Sequence, residues 1–266
     1  MLRLLIISTL FFHLSVFAED TRLVITGSST VAPLALEIAK RFEQQNPGVR
    51  IDVQTGGSSR GVADARSGAA NIGMASRNLK ESEQDLTAYT IARDGIGIII
   101  HSDNKIAALS EQQIEEIFTG KISNWKDLGG ADKRITVVNK AEGRSTLELF
   151  LAHFGLKNSQ IKAQVIIGDN QQGIKTVSGN PYSIGYVSIG TAEFEAANGT
   201  PIKLLPMASI PASVDNVRNG TFPLARPLNL LTKGKAKGLA KQFIDFAQST
   251  QVNDLIEAQF FVPLAH

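Results

Sequence analysis

Short apolar, β-branched runs alternate along the chain with stretches whose apolar positions recur every three or four residues. Residues 22–26, 50–54 and 71–75 predict strands. Between the first two, residues 31–45 predict a helix with Val31, Leu34, Ile38 and Phe42 on one stripe, stopped by Asn46-Pro47-Gly48. A short helix is expected at 61–66, and the run 95–101 suits a buried strand. Helix 112–118, strand 135–139 and helix 145–154 follow; the last carries Leu147, Phe150, Leu151 and Phe154. Strands are expected at 165–167, 184–187, 202–205 and 228–232, then helices at 236–248 and 251–259. Repeated β-α-β order predicts an α/β fold with a largely parallel sheet and helices on both faces.

The first eighteen residues break this pattern. Arg3 precedes an apolar run of about thirteen residues, Val16-Phe17-Ala18 supplies a cleavage pattern, and Glu19-Asp20 follows. This reads as a secretory signal cut after Ala18, because the run is short of the roughly 20 residues that span a bilayer. No later segment is long and apolar enough to span. The expected product is a soluble periplasmic protein.

Composition narrows the chemistry. With 266 residues, 43% hydrophobic and 20% charged, the chain is globular and large enough for one or two domains. The absence of cysteine removes disulfides, thiol catalysis, Fe–S clusters and thiolate zinc sites. Net charge +2 argues against nucleic acid as a partner. At 6% aromatic, the chain is thinly supplied for gripping sugars or bases by stacking.

Three strand–turn–helix junctions hold the candidate chemistry: Gly27-Ser28-Ser29-Thr30, Gly56-Gly57-Ser58-Ser59-Arg60-Gly61 and Glu142-Gly143-Arg144-Ser145-Thr146. Each offers a glycine for close backbone approach, hydroxyls, and a helix whose first N–H groups lack internal partners. One such junction alone reads as a plain helix cap. Three in one chain, with Arg60 and Arg144 able to add forked donors, read as an oxyanion site at the strand ends. Other motifs fail. No phosphate-binding P-loop, dinucleotide fingerprint or nucleophile elbow is present. His101, His153 and His266 show no metal-ligand spacing, so no metal or cofactor is expected. Nothing points to His153 as the base of a hydrolase, and no catalytic residues are assigned.

At these junctions the sequence resembles the periplasmic phosphate-binding proteins of phosphate ABC transporters. The resemblance runs from Ile25 almost to the C-terminus. It also includes Ile72-Gly73-Met74-Ala75-Ser76-Arg77, the segment from Ile117 through Trp125, and Ile184-Gly185-Tyr186-Val187. It implies the two-lobed type II periplasmic-binding-protein fold. Each lobe would be a mostly parallel sheet flanked by helices, with the ligand in the interlobe cleft. Lobe one would comprise residues 19–100 and 215–266, lobe two 101–214, with the outgoing hinge at 101–105. Ser29, Thr30 and Ser58 would bind from lobe one, and Arg144, Ser145 and Thr146 from lobe two. Lys140 stands where many members place an Arg.

The chain departs from that pattern twice. Arg144-Ser145 replaces a Ser-Gly pair, and Arg77 replaces an Asp that accepts the proton of hydrogen phosphate and helps reject sulfate. Arg77 can only donate. Either Arg77 joins the site and Glu142 or Asp169 supplies the acceptor, or Arg77 turns away and pairs with a carboxylate. The resemblance implies a monomeric, non-enzymatic receptor that passes inorganic phosphate to a membrane permease. A receptor for sulfate, molybdate or arsenate, a secreted phosphate-ester hydrolase and a surface protein on the same fold are the alternatives.

Overall fold

The computed structural model describes residues 21–265; the leader expected at 1–18 lies outside the described residues. β1 (Arg22–Gly27) leads into α1 (Ala32–Gln45), and β2 (Arg50–Thr55) into α2 (Ser58–Ser67). β3 (Ile72–Ala75) follows, then β4 (Leu86–His101), a 16-residue strand. α3 (Glu111–Phe118), β5 (Thr136–Lys140), α4 (Ser145–His153), β6 (Val165–Ile167) and α5 (Asn170–Ser178) come next. After β7 (Ser183–Ser188), α6 (Ile189–Ala197), β8 (Ile202–Leu205) and α7 (Val214–Arg218), the chain returns through β9 (Ala225–Lys233) to α8 (Gly238–Ala247) and α9 (Asn253–Ala258).

The strands run in the order β2-β1-β3-β9-β4-β7-β5-β6, with β8 on β4. The β1–β2, β1–β3, β5–β6 and β5–β7 pairs are parallel, as β-α-β connection requires. The strands that cross between the halves add antiparallel pairs. The first half of β4 pairs with β9, from Leu86 opposite Lys233 to Gly95 opposite Ala225. The second half pairs with β7 and β8.

Each half has its own core. α1 lays Leu34, Ile38 and Phe42 on Ile25, Ile72 and Met74, and Phe42 meets Phe243 of α8 edge to face at 5.5 Å. Burying each such side chain stabilises by about 1.5–3 kcal/mol. The second core gathers Ile98, Ile114, Phe118, Phe150 and Tyr186, with Phe150 stacked on Tyr186 at 4.0 Å.

The crossing between cores falls earlier on β4 than the hinge expected at 101–105. Ala92 belongs to the first core, while Ile96, Ile98 and Ile100 belong to the second. On the return, Val217, Phe222 and Leu224 still pack in the second core, and Leu228 is the first residue back, so that crossing comes later than 215. The crossing falls on Arg93-Asp94-Gly95, between the mixed first half of the strand and its apolar second half. Gly95 and Gly97 mark tight packing: a Cβ at Gly95 would lie 2.6 Å from Ile189 Cδ1, and one at Gly97 2.6 Å from Leu204 Cδ2.

Candidate functional site

The N-termini of α1, α2 and α4 meet in the cleft between the halves. α3, α5, α6 and α7 are capped by Ser110, Asp169, Ser188 and Ser213 side chains. The three helices at the cleft have Val31, Gly57 and Arg144 at the cap position and no side-chain cap. Each helix carries about half a positive charge at this end, and the N–H groups at the start of α1 are held by Ser28, through its Oγ to Thr30 and Val31 and its carbonyl to Ala32. Gly57 makes the convergence possible: at φ +93°, a Cβ there would lie 2.5 Å from Arg144 Nη1 and 2.7 Å from Gly143 O. The Ser59 N–H donates to Gly143 O across the cleft at 3.2 Å.

A small, tight cavity opens between these ends. Its wall is Ser28, Ser29, Thr30, Gly57, Ser58 and Ser76 from one half, and Lys140, Arg144, Ser145 and Thr146 from the other. Six of the seven expected residues therefore share one wall: Ser29, Thr30, Ser58, Arg144, Ser145 and Thr146.

The hydroxyls on this wall are oriented from behind. Arg226, 2% exposed, donates to Thr146 Oγ1 at 2.9 Å, Ser76 Oγ at 3.2 Å and Thr30 Oγ1 at 3.3 Å. Asn170 Nδ2 also donates to Thr30 Oγ1, at 3.2 Å. Ser28 Oγ accepts from the Thr30 and Val31 N–H groups and donates to Ser76 Oγ at 3.1 Å. Thr30 and Ser76 thus each accept two bonds, which leaves their own protons to point into the cavity they line. The wall presents donors.

Charge follows the same pattern. Arg226 is held by Asp94, opposite it in the β4–β9 register, with Nη2 to Oδ2 at 2.9 Å and both side chains 1% exposed. Burial lowers the Arg226 pKa, and Asp94 opposes that shift. Lys140 Nζ has one partner, Asn170 Oδ1 at 2.9 Å. Burial first, then the neighbouring charges of Arg226 and Arg144, lower its pKa to about 7, with Asp169 acting the other way. Arg144 Nε and Nη1 and Ser145 Oγ are buried without a hydrogen-bond partner. A buried unsatisfied polar group costs about 1–3 kcal/mol, which an anion's lone pairs would offset. No carboxylate lines the cavity. This chemistry fits an oxyanion.

The remaining expectations sort by position. Arg77 does not line the cavity: it turns away, 3% exposed, and pairs with Glu83 through two bonds of 2.6 and 2.9 Å. Burial opposes its charge, but Glu83 and Glu148 more than compensate, so its pKa is raised. Arg60 faces outward to Asp64 at 3.1 Å. Glu142 is exposed and accepts from Asn158 Nδ2, and Asp169 caps α5, so neither candidate acceptor reaches the wall. His153 is held by Glu111 at 2.7 Å, away from the cavity. Asp94, Arg226 and Asn170 were not singled out from the sequence. Only its place before Pro227 at the start of a mostly apolar strand distinguishes Arg226, and the partner that explains it lies 132 residues away.

Among the described residues, no helix is long and apolar enough to cross a membrane. Residues 17–251 match the PBP superfamily domain. The chain is 31% identical over 248 residues to the phosphate-binding protein PstS of Bacillus subtilis strain 168, covering 91% of this chain and 80% of that one. A structure from Clostridium perfringens, described as a candidate phosphate ABC transporter substrate-binding protein with bound phosphate, is 32% identical. It superposes with a TM-score of 0.85 over 92% of this chain and all of that one. An ABC-type phosphate transport receptor from Vibrio cholerae gives 0.74 at 29% identity, over 91% of this chain and all of that one. With two lobes, two crossing strands and an anion-fitted cleft between them, the chain belongs to the PBP superfamily of periplasmic binding proteins.

Proposed function

We propose that this protein is an extracytoplasmic receptor that captures inorganic phosphate in its cleft and delivers it to the membrane permease of an ABC importer. The donor wall carries the reading: hydroxyls turned inward, unpartnered Arg144 and Ser145 atoms, and Lys140 and Arg226 beside them. Its relatives are named for phosphate binding. Ser29, Thr30, Ser58, Arg144, Ser145 and Thr146 are the proposed ligand residues, joined by Lys140 and Ser76. The protein works as a monomer, makes and breaks no bond, and is exported by a secretory signal that is cut after Ala18. Anion binding offsets the positive charge between the lobes and selects the closed form that a permease reads.

One observation favours a second reading. With no carboxylate on the wall to accept a ligand proton, a fully ionised oxyanion such as sulfate would also fit. Thermal unfolding of residues 19–266, freed of carried-over ligand, separates the readings at matched ionic strength. A ligand at 100 times its Kd adds about 2.7 kcal/mol. For a chain of this size that raises Tm by about 5–10 °C. A shift with phosphate alone supports the phosphate receptor. Equal shifts with phosphate and sulfate make it a general oxyanion receptor, and no shift with either overturns the binding role.

A further inference from the structure

We propose that Glu148 is a positioning residue that holds the two walls of the phosphate cleft together from one helical turn behind the ligand. The proposal rests on the phosphate reading above. Glu148 lies on the first turns of α4, three residues after Ser145, and Ser59 lies on the first turn of α2, next to Ser58. These are the two helices whose N-termini face each other across the cavity. Glu148 Oε1 accepts from Ser59 Oγ at 3.2 Å. Its Oε2 lies 2.9 Å from Arg77 Nε and 3.0 Å from Lys80 Nζ, both on the opposite lobe. One carboxylate from lobe two therefore touches three lobe-one side chains, none of which lines the cavity.

The setting distinguishes this contact from an ordinary surface ion pair, which contributes little. The Arg77 side chain is 4% exposed and Glu148 23%. Glu83 grips the Nη atoms of Arg77 and also accepts from the Lys80 N–H at 2.9 Å, so the cation is fixed within lobe one before the lobes meet. The Nε edge, close to Glu148 but out of line for a hydrogen bond, is what remains for lobe two. Two cations and two carboxylates balance only when Glu148 arrives. This gives Arg77 a use at a position where the family resemblance implies a proton-reading Asp: it serves closure rather than ligand contact. Contacts present only in the closed form raise the closed fraction, and affinity scales with that fraction.

The test compares wild type with Glu148→Gln, which can still accept from Ser59 but loses the charge, and with Lys80→Met, a change at a half-exposed position. Phosphate Kd and dissociation rate are measured by titration and stopped flow. The interlobe distance without phosphate is measured by spin or fluorophore pairs on the exposed residues 45 and 166. Glu148→Gln is expected to raise Kd about tenfold, mostly through faster dissociation. It is also expected to lengthen the interlobe distance, with Lys80→Met changing both in the same direction by less. A general structural defect would lower the ligand-free Tm without separating the probes. Unchanged Kd, dissociation rate and probe distance in Glu148→Gln would overturn the proposal. If wild type itself binds no phosphate, the phosphate reading fails, and the probe distances still decide whether Glu148 holds the lobes.

Discussion

The Asp94–Arg226 pair should separate stability from binding. Both side chains are 1% exposed and lie opposite each other on the two crossing strands. Removing one partner of a buried pair leaves the other charge uncompensated, at a cost of about 3–5 kcal/mol. For a chain of this size the two single variants should each lose about 6–20 °C in Tm. Their effects on phosphate should be opposite. In Asp94→Asn, Arg226 keeps its donors to Thr30, Ser76 and Thr146 and lacks a counter-charge, so a bound anion supplies one. Phosphate should then raise Tm more in this variant than in wild type. In Arg226→Met, the Asp94 carboxylate faces the ligand through the space the guanidinium filled. Two unit charges about 6 Å apart at an effective dielectric near 20 repel by about 3 kcal/mol, which is about two orders of magnitude in Kd. The double variant Asp94→Leu/Arg226→Met should recover most of the lost stability, since apolar replacement of a buried pair is often neutral or better. Urea unfolding and phosphate titration of the four proteins provide the measurements. Loss of phosphate binding in Asp94→Asn to the same degree as in Arg226→Met would refute the assignment of separate roles, as would a double variant no more stable than the single ones.

Two further outcomes are expected. Lys140, lowered to about 7 in the fold from an ordinary 10.5, is neutral in the folded chain and charged in the unfolded chain between those values. The unfolded state then binds more protons, so ligand-free stability should rise from pH 7 to 10 by at most about 1.4 kcal/mol per pH unit. Urea midpoints across that range should flatten in Lys140→Met, and identical profiles for the two proteins would count against a buried neutral amine. Gly57→Ala should weaken phosphate binding, because its Cβ would press on Arg144 Nη1 at φ +93°. Gly48→Ala, at φ +97° with nothing within 4 Å, carries the same backbone strain and should leave affinity alone, so equal affinities for the two would show that the close approach does not matter.

The elements legible in the sequence were those whose signal is local. The stripe of Leu34, Ile38 and Phe42 fixed α1, and the three Gly/Ser/Thr junctions located the walls of the cleft because glycine and hydroxyl requirements at a helix start are set by the residues themselves. α5, with Asn170-Gln171-Gln172-Gly173 opening it, has few apolar positions and was not anticipated; nor was α6, whose inward stripe of Ile189, Ala192 and Ala196 is mostly alanine. The first half of β4, Leu86 to Asp94, mixes polar and apolar residues because it is half-exposed where the lobe-one run of strands ends, and its pairing with β9 is visible only in three dimensions. The same holds for charge. Arg144 was legible because it sits inside a junction. Asp94 and Arg226 were not, because each gains its meaning from the other strand. Arg77, placed next to the site by sequence position, takes its direction from Glu83 and Glu148.

The position of β9 between β3 and β4 fixes an order of assembly. β3 and β4 are neighbours in sequence but not in the sheet, and the strand that belongs between them starts at residue 225. Emerging from its N-terminus, the chain can complete the continuous segment that forms lobe two while β3 and the first half of β4 still expose unpaired edges. Lobe one closes only when the last strand inserts, a non-local step that carries a large loop-closure cost and proceeds slowly. Until then those open edges are the part of the chain most exposed to aggregation and to chaperones. Shortening the chain before residue 225 would remove more than a strand: it would leave Asp94 without Arg226 and the cleft without its floor.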